Sequence, residues 1–126
     1  MVSRFTIELP LPPSSNNIYY TDPRTNTRHL TKEAKSYKRS VEELLMKTGA
    51  RHKAPAPPFS MHYHFRFKTR HKRDLSNGVK LAEDAIVKYL NTDDRYVYDL
   101  HLWKYIDKAN PALVVEIRES TRTLDV

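Results

Sequence analysis

The chain has 126 residues, with 22 Lys and Arg against 15 Asp and Glu, a formal net charge of +7 and a pI near 9.7. That length suits a single domain over residues 1–126 with a real core, and no apolar run approaches the ~20 residues of a membrane-spanning helix. The absence of cysteine excludes disulfides, thiolate catalysis and Cys-based zinc sites; the basic excess favours an anionic partner, nucleic acid first.

The first residues, MVSRFTIELP, are too few and too polar for a signal peptide, so a cytoplasmic location is expected. Phe5, Ile7 and Leu9 alternate with Thr6 and Glu8 and predict a strand over 3–9. The following PLPPSSNN stops it, because proline cannot donate to a ladder and Ser and Asn favour turns. An irregular segment carrying Tyr19 and Tyr20 comes next. Thr31 then reads as an N-cap for a helix at about 32–48, with Ala34, Tyr37, Val41, Leu44 and Leu45 at helical spacing and Gly49 as its stop. Residues 50–58, ARHKAPAPP, predict a stiff, extended connection. FSMHYHFRF, 59–67, alternates strictly and is the strongest strand signal. A second helix is expected from Ser76 to Tyr89, with Leu75, Val79, Ala82 and Ile86 as its apolar stripe and Ser76, Asn77, Lys80 and Asp84 opposite. After the turn NTDDR, strands are predicted at 96–106 and 112–118. The order β-α-β-α-β-β implies an α+β domain, one mixed sheet with two main helices packed on it.

Chemistry concentrates around the second helix. The basic run Lys68, Arg70, His71, Lys72 and Arg73 abuts Asp74, as expected where cations hold a phosphate backbone and acids hold a metal against it. Phosphodiester hydrolysis calls for hard oxygen ligands around a divalent ion that polarises phosphate and activates water. Asp74, Asp84, Asp93 and Asp94 are the available carboxylates, with Lys80 among them. Each has a plainer alternative. Asp74 also suits a helix N-cap, Asp93 and Asp94 an ordinary acidic turn, and Lys80 with Asp84 a surface ion pair. A helix of this length separates its ends by roughly 20 Å. Asp74 therefore meets Asp93 and Asp94 only if the loop folds back, or if the preceding strand delivers it beside the start of the next. His62 and His64, two apart on one strand, would suit a transition metal, but no carboxylate lies near them in sequence. Two glycines in the whole chain exclude a phosphate-binding glycine loop.

Four stretches together, LPLPPSSNNIYY, RHLTKEAKSYK, KRDLSNGVKLAEDAI and NTDDRYVYDLHLWK, resemble the RusA family of Holliday junction resolvases, small dimeric endonucleases of bacteria and their phages. The resemblance implies an Mg²⁺-dependent nuclease, with Mn²⁺ as a substitute, acting as a homodimer on four-way DNA junctions and making paired nicks. Twofold symmetry suits a junction with two equivalent strands to cut. It implies Asp74 and Asp94 as catalytic metal ligands, Asp93 as the neighbour of Asp94, and Lys80 as the catalytic lysine; Asp84, on the same helix face, is expected as a further ligand, and Asn77, beside the basic run, as a nucleic-acid contact. It also implies that the separated acids share one site, across the dimer or through sheet topology. The family motif often reads Asp-x-Asp-Asn, and here it reads Asp74-Leu75-Ser76-Asn77. Ser76 thus stands where an acidic ligand is common. A non-catalytic nucleic-acid-binding module, its metal site weakened by Ser76, is the alternative.

Overall fold

The computed structural model describes residues 4–71 and 73–121. Lys72, one of the predicted nucleic-acid contacts, lies outside the described residues, as does the first residue of the predicted 3–9 strand. The elements in chain order are β1 (Arg4–Leu9), β2 (Tyr19–Asp22), β3 (Thr27–Leu30), α1 (Lys32–Lys47), α2 (Ala50–Lys53), β4 (Phe59–Phe67), α3 (Ser76–Tyr89), β5 (Val97–Ile106) and β6 (Ala112–Glu119). Single 3₁₀ turns sit at Ser15–Asn17 and Asp94–Tyr96. The α+β class stands, with a four-stranded mixed sheet ordered β1-β6-β4-β5.

Three elements, β2, β3 and α2, are additions to the expected order. Residues 19–30, expected to be irregular, contain an antiparallel hairpin, β2 and β3, with Tyr19 opposite Leu30 and Asp22 opposite Thr27. Its turn is closed by the Asp22 carboxylate, which accepts from the Arg24 N–H at 2.9 Å, and by Asn26 at a left-handed φ of 54°. Part of the expected extended connection forms the short helix α2, launched from Gly49 at φ 70°. Arg51 on α2 donates to the Tyr89 carbonyl at 2.9 Å and lies over the Tyr89 ring, tying α2 to the C-terminal end of α3.

The core lies between the sheet and the helices α1 and α3. Phe5, Ile7 and Leu9 on β1, Met61, Tyr63 and Phe65 on β4, and Leu113, Val115 and Ile117 on β6 share one buried cluster with Ala34, Tyr37, Val41 and Leu45 of α1 and Val79, Leu81, Ala82, Ala85 and Ile86 of α3. The period-two and helical spacings of the sequence therefore converge on a single interior. Gly78 has a contact role: a Cβ there would come within 2.9 Å of the Pro12 ring, so glycine lets the PLPP segment lie directly on α3.

The parallel pairing of β4 with β5 positions the site. Its register runs from Phe59 opposite Val97 to Phe67 opposite Ile106. A parallel pair needs a crossover, and α3 provides it. Asp74, ahead of α3, therefore sits at the end where β4 and β5 finish. Asp93 and Asp94, beyond α3, sit at the end where these strands begin.

Thr31 joins the hairpin to α1. Its hydroxyl accepts from the Ala34 N–H at 3.1 Å and donates to the Asn17 carbonyl at 2.6 Å. Thr31→Ala removes both bonds and is expected to cost about 1–2 kcal/mol, measured as a lower urea midpoint at unchanged slope.

Candidate active site

Two surface depressions flank α3, one at each end. The first, of about 470 Å³, is lined by the PLPPSSN segment, Phe65, Phe67, Arg73, Asp74, Leu75 and Gly78. Asp74 is exposed at its rim. Its Oδ1 accepts from the Ser76 hydroxyl at 2.7 Å and from the Ser76 N–H at 3.0 Å. These bonds, the hydroxyl first, hold the carboxyl below its ordinary range. Asp74 thus caps the start of α3 while keeping its negative charge.

The second depression, about 350 Å³, is lined by Asp84, Val87, Lys88, Asn91, Thr92, Asp93 and Asp94. Asn91, at φ 58°, turns the chain out of α3. The Asp93 carboxylate then caps the following 3₁₀ turn by accepting from the Arg95 N–H at 3.2 Å. That bond and a hydrogen bond shared with Asp94 lower the Asp93 carboxyl. Asp94, though exposed, is raised, first by the hydrogen bond it shares with Asp93, then by slight desolvation and the charges of Asp93 and Asp84. Glu83, on the neighbouring face of α3, is raised by burial and by the charges of Asp94 and Asp84, and accepts from the Tyr63 hydroxyl at 3.2 Å. Three of the expected ligands, Asp84, Asp93 and Asp94, therefore share one cleft of hard oxygen donors, the donor type that suits Mg²⁺. Asp74 does not join them within one chain. The 14 residues of α3 stand between, which at 1.5 Å per residue is about 20 Å.

The remaining predicted residues separate by environment. Lys80 is exposed on α3, and among the described residues no ion pair joins it to Asp84. Lys68, Arg70 and His71 are exposed in the loop between β4 and α3. Arg73 turns inward: it donates to the carbonyls of Thr69 and His71 and to the Thr69 hydroxyl, and lies 4.2 Å over the Phe67 ring. These bonds tie Arg73 to Thr69 and His71 of its own loop. Asn77 donates to the Ser15 hydroxyl at 2.9 Å, fastening the N-terminal segment to α3.

The opposite face of the sheet carries a group that sequence reasoning missed. His62, Asp99 and His101 bring two imidazole nitrogens and a carboxylate oxygen within 4.8 Å of one another. The sequence placed no carboxylate near His62, yet β4–β5 pairing sets His62 opposite His101 and Ser60 opposite Asp99. Burial pulls Asp99 upward, but hydrogen bonds from Ser60, His101 and Ser120 outweigh it and hold the carboxyl low. His62 is lowered by burial, then by the Arg118 charge.

A family model described as Endodeoxyribonuclease RusA matches residues 10–118. The chain belongs to the RusA endodeoxyribonuclease family. It is 33% identical over 104 residues to the proteins named crossover junction endodeoxyribonuclease RusA of Shigella sonnei (strain Ss046) and Escherichia coli (strain K12), covering 82% of this chain and 84% of each relative. The match spans both ends of α3 and both depressions. No helix among the described residues is long and apolar enough to cross a membrane.

Asp93 is held low and Asp94 pushed up by the same contact, so the charge on one bears on the titration of the other. Asp93→Asn removes the repelling charge and supplies an amide donor. It is therefore expected to lower the Asp94 pKa, read from carboxyl ¹³C shifts during an NMR pH titration. An unmoved Asp94 titration would rule out the coupling.

Proposed function

We propose that this RusA-family chain is a single-domain, Mg²⁺-dependent endodeoxyribonuclease, with Mn²⁺ as a substitute, which works as a homodimer in the cytoplasm. It binds four-way DNA junctions and resolves them by paired nicks. The name shared by its relatives supports the junction substrate. The observation that carries the reading is the pairing of separated acids with an open sheet edge.

β5 is that edge, and among the described residues six of the eight large hydrophobics left exposed lie on it: Tyr98, Leu100, Leu102, Trp103, Tyr105 and Ile106. A ten-residue edge strand so apolar is a template for another strand. Antiparallel pairing of β5 with the β5 of a second copy, about a twofold axis perpendicular to the sheet, keeps the helices of both copies on one side. The start of one β5 then lies beside the end of the other. Asp74 of one copy and the acidic turn of its partner come to the same end of the joined sheet. Each active site is thereby completed by two chains.

Asp74 from one copy and Asp94 from the other hold the ion, with Asp93 and Asp84 beside Asp94. When bound, the ion neutralises charge at the scissile phosphate and makes a hydrolytic water more acidic. Lys80 steadies the phosphate. Lys68, Arg70, His71 and Lys72 hold the DNA backbone, Arg73 keeps their loop in shape, and Asn77 holds the N-terminal segment against α3. The second reading, a junction-binding module without cleavage, is favoured by one contact: Ser76 donates to Asp74 Oδ1 where the family often has another acid. Divalent-dependent cleavage of a synthetic junction separates the two.

Asp74→Asn and Asp94→Asn are each expected to abolish cleavage while leaving junction binding intact. Mixed after subunit exchange, the two dead proteins are expected to regain activity. Each heterodimer carries one site with both substitutions and one with neither, so cleavage returns to about a quarter of wild type, as single nicks. A mixture as inactive as its parents would mean that each site belongs to one chain. Arg70→Ala is expected to weaken junction binding and reduce the slope of log affinity against log salt by about one, measured by fluorescence anisotropy across a salt series.

A further inference from the structure

The helix-free face of the sheet carries a built cluster away from the acids of α3. His62 is 7% exposed, and its Nε2 lies 2.9 Å from the Ser60 hydroxyl. That hydroxyl donates in turn to Asp99 Oδ1, which lies 2.8 Å from His101 Nε2. The Ser120 hydroxyl, just beyond β6, donates to Asp99 Oδ2 at 3.1 Å. The two imidazoles stack with centroids 4.4 Å apart and planes within 12°. Three ligand-type side chains from two strands thus converge on one point, with two hydroxyls holding the carboxylate.

We propose that His62, Asp99 and His101 form a transition-metal site for a Zn²⁺-class cation, distinct from the acidic Mg²⁺ set of the proposed nuclease reading. Two imidazole nitrogens and one carboxylate oxygen make a borderline donor set that prefers Zn²⁺ to Mg²⁺. In a tetrahedral zinc site with bonds of about 2.0–2.2 Å, the ligand atoms are about 3.3–3.5 Å apart. The three donors here already lie within 4.8 Å of one another. Rotation of the imidazoles about their side-chain bonds closes the remainder, and water takes the fourth position. Ser60 and Ser120 orient the carboxylate, as hydrogen-bond partners of metal ligands generally do. Two further charges face the cluster from β6. Glu116 lies opposite His62 in register, and Arg118 lies opposite Ser60. They form an ion pair with each other, so neither is left as an uncompensated charge beside the site.

The site would clamp the edge strand β5 to β4 and to the chain leaving β6. It therefore stiffens β5 in each copy, whether or not two copies pair there.

The test is a titration of the full chain, freed of metal, with Zn²⁺ alone and with Co²⁺ as an optical probe. One equivalent per chain is expected, with the visible bands of four-coordinate Co²⁺, and excess Mg²⁺ does not displace it. Asp99→Asn and His101→Gln are each expected to weaken Zn²⁺ binding by about tenfold or more, with circular dichroism confirming the fold. His64→Gln and Asp94→Asn leave it unchanged. In the unaltered protein, Zn²⁺ is expected to move the ring ¹⁵N resonances of His62 and His101, a readout that needs no variant. Absence of stoichiometric binding, binding lost in Asp94→Asn, or ring shifts confined to other histidines would overturn the assignment.

Discussion

The parallel register between β4 and β5 constrains everything else in this molecule. β6 occupies the other side of β4, so β5 has one neighbour and remains an edge. The crossover that parallel pairing demands is supplied by α3, whose apolar stripe is buried against the sheet. A helix that must travel back along the strands carries whatever precedes it to one end and whatever follows it to the other. Both acidic segments flank this helix, so the topology itself separates them. Phosphodiester chemistry needs its carboxylates within one coordination sphere. The conflict lies between a folding requirement and a catalytic one, and the proposed dimer would resolve it without altering either.

Magnitudes put the proposed pairing near balance. Leu100, Leu102 and Ile106 alternate with His101, Trp103 and Tyr105 and project on the helix side, beyond the cover of the helices, each between 42% and 46% exposed. Fully burying such a side chain is worth about 1.5–3 kcal/mol, so removing the remaining exposure gives roughly 1 kcal/mol each. Six such residues across two copies give about 6 kcal/mol before Tyr98, Trp103, Tyr105 or any strand hydrogen bond is counted. That lies within the range of about 4–15 kcal/mol that association costs. The net charge of +7 per chain opposes pairing, and a polyanion bound across both copies would relieve it.

What the sequence revealed depended on periodicity. β1, β4, β6, α1 and α3 were legible because each turns its apolar residues to one face, which writes a period of two or 3.6 into the residues. The hairpin was not legible by that route. Tyr19–Asp22 and Thr27–Leu30 are largely exposed, so no apolar alternation marks them. The usable signal was turn chemistry, Asp22-Pro23 followed by Asn26. The helix α2 was hidden by the prolines immediately behind it. The edge character of β5 was hidden for the opposite reason: YVYDLHLWKYI alternates as well as a half-buried strand does, and only the sheet order leaves it uncovered. The cluster of His62 with Asp99 and His101 depends on a strand pairing across a crossover, and local spacing carries no trace of it.

Asp74 shows why a capping reading and a catalytic reading need not compete. As a bare alternative, an aspartate ahead of a helix is explained by the helix alone. Here the Ser76 N–H and hydroxyl both bond to the same oxygen, Oδ1. Oδ2 has no hydrogen bond from the described residues. The cap therefore fixes the plane of the carboxylate, keeps it ionised by lowering its pKa, and leaves one oxygen for a ligand. A second aspartate at position 76 would add charge to that end of α3 but would give up the hydroxyl that now orients Asp74. Serine at this position trades ligand charge for a better-held single carboxylate. In the proposed dimer, where the partner's acids would complete the site, that exchange is more readily accepted than in a site built from a single chain.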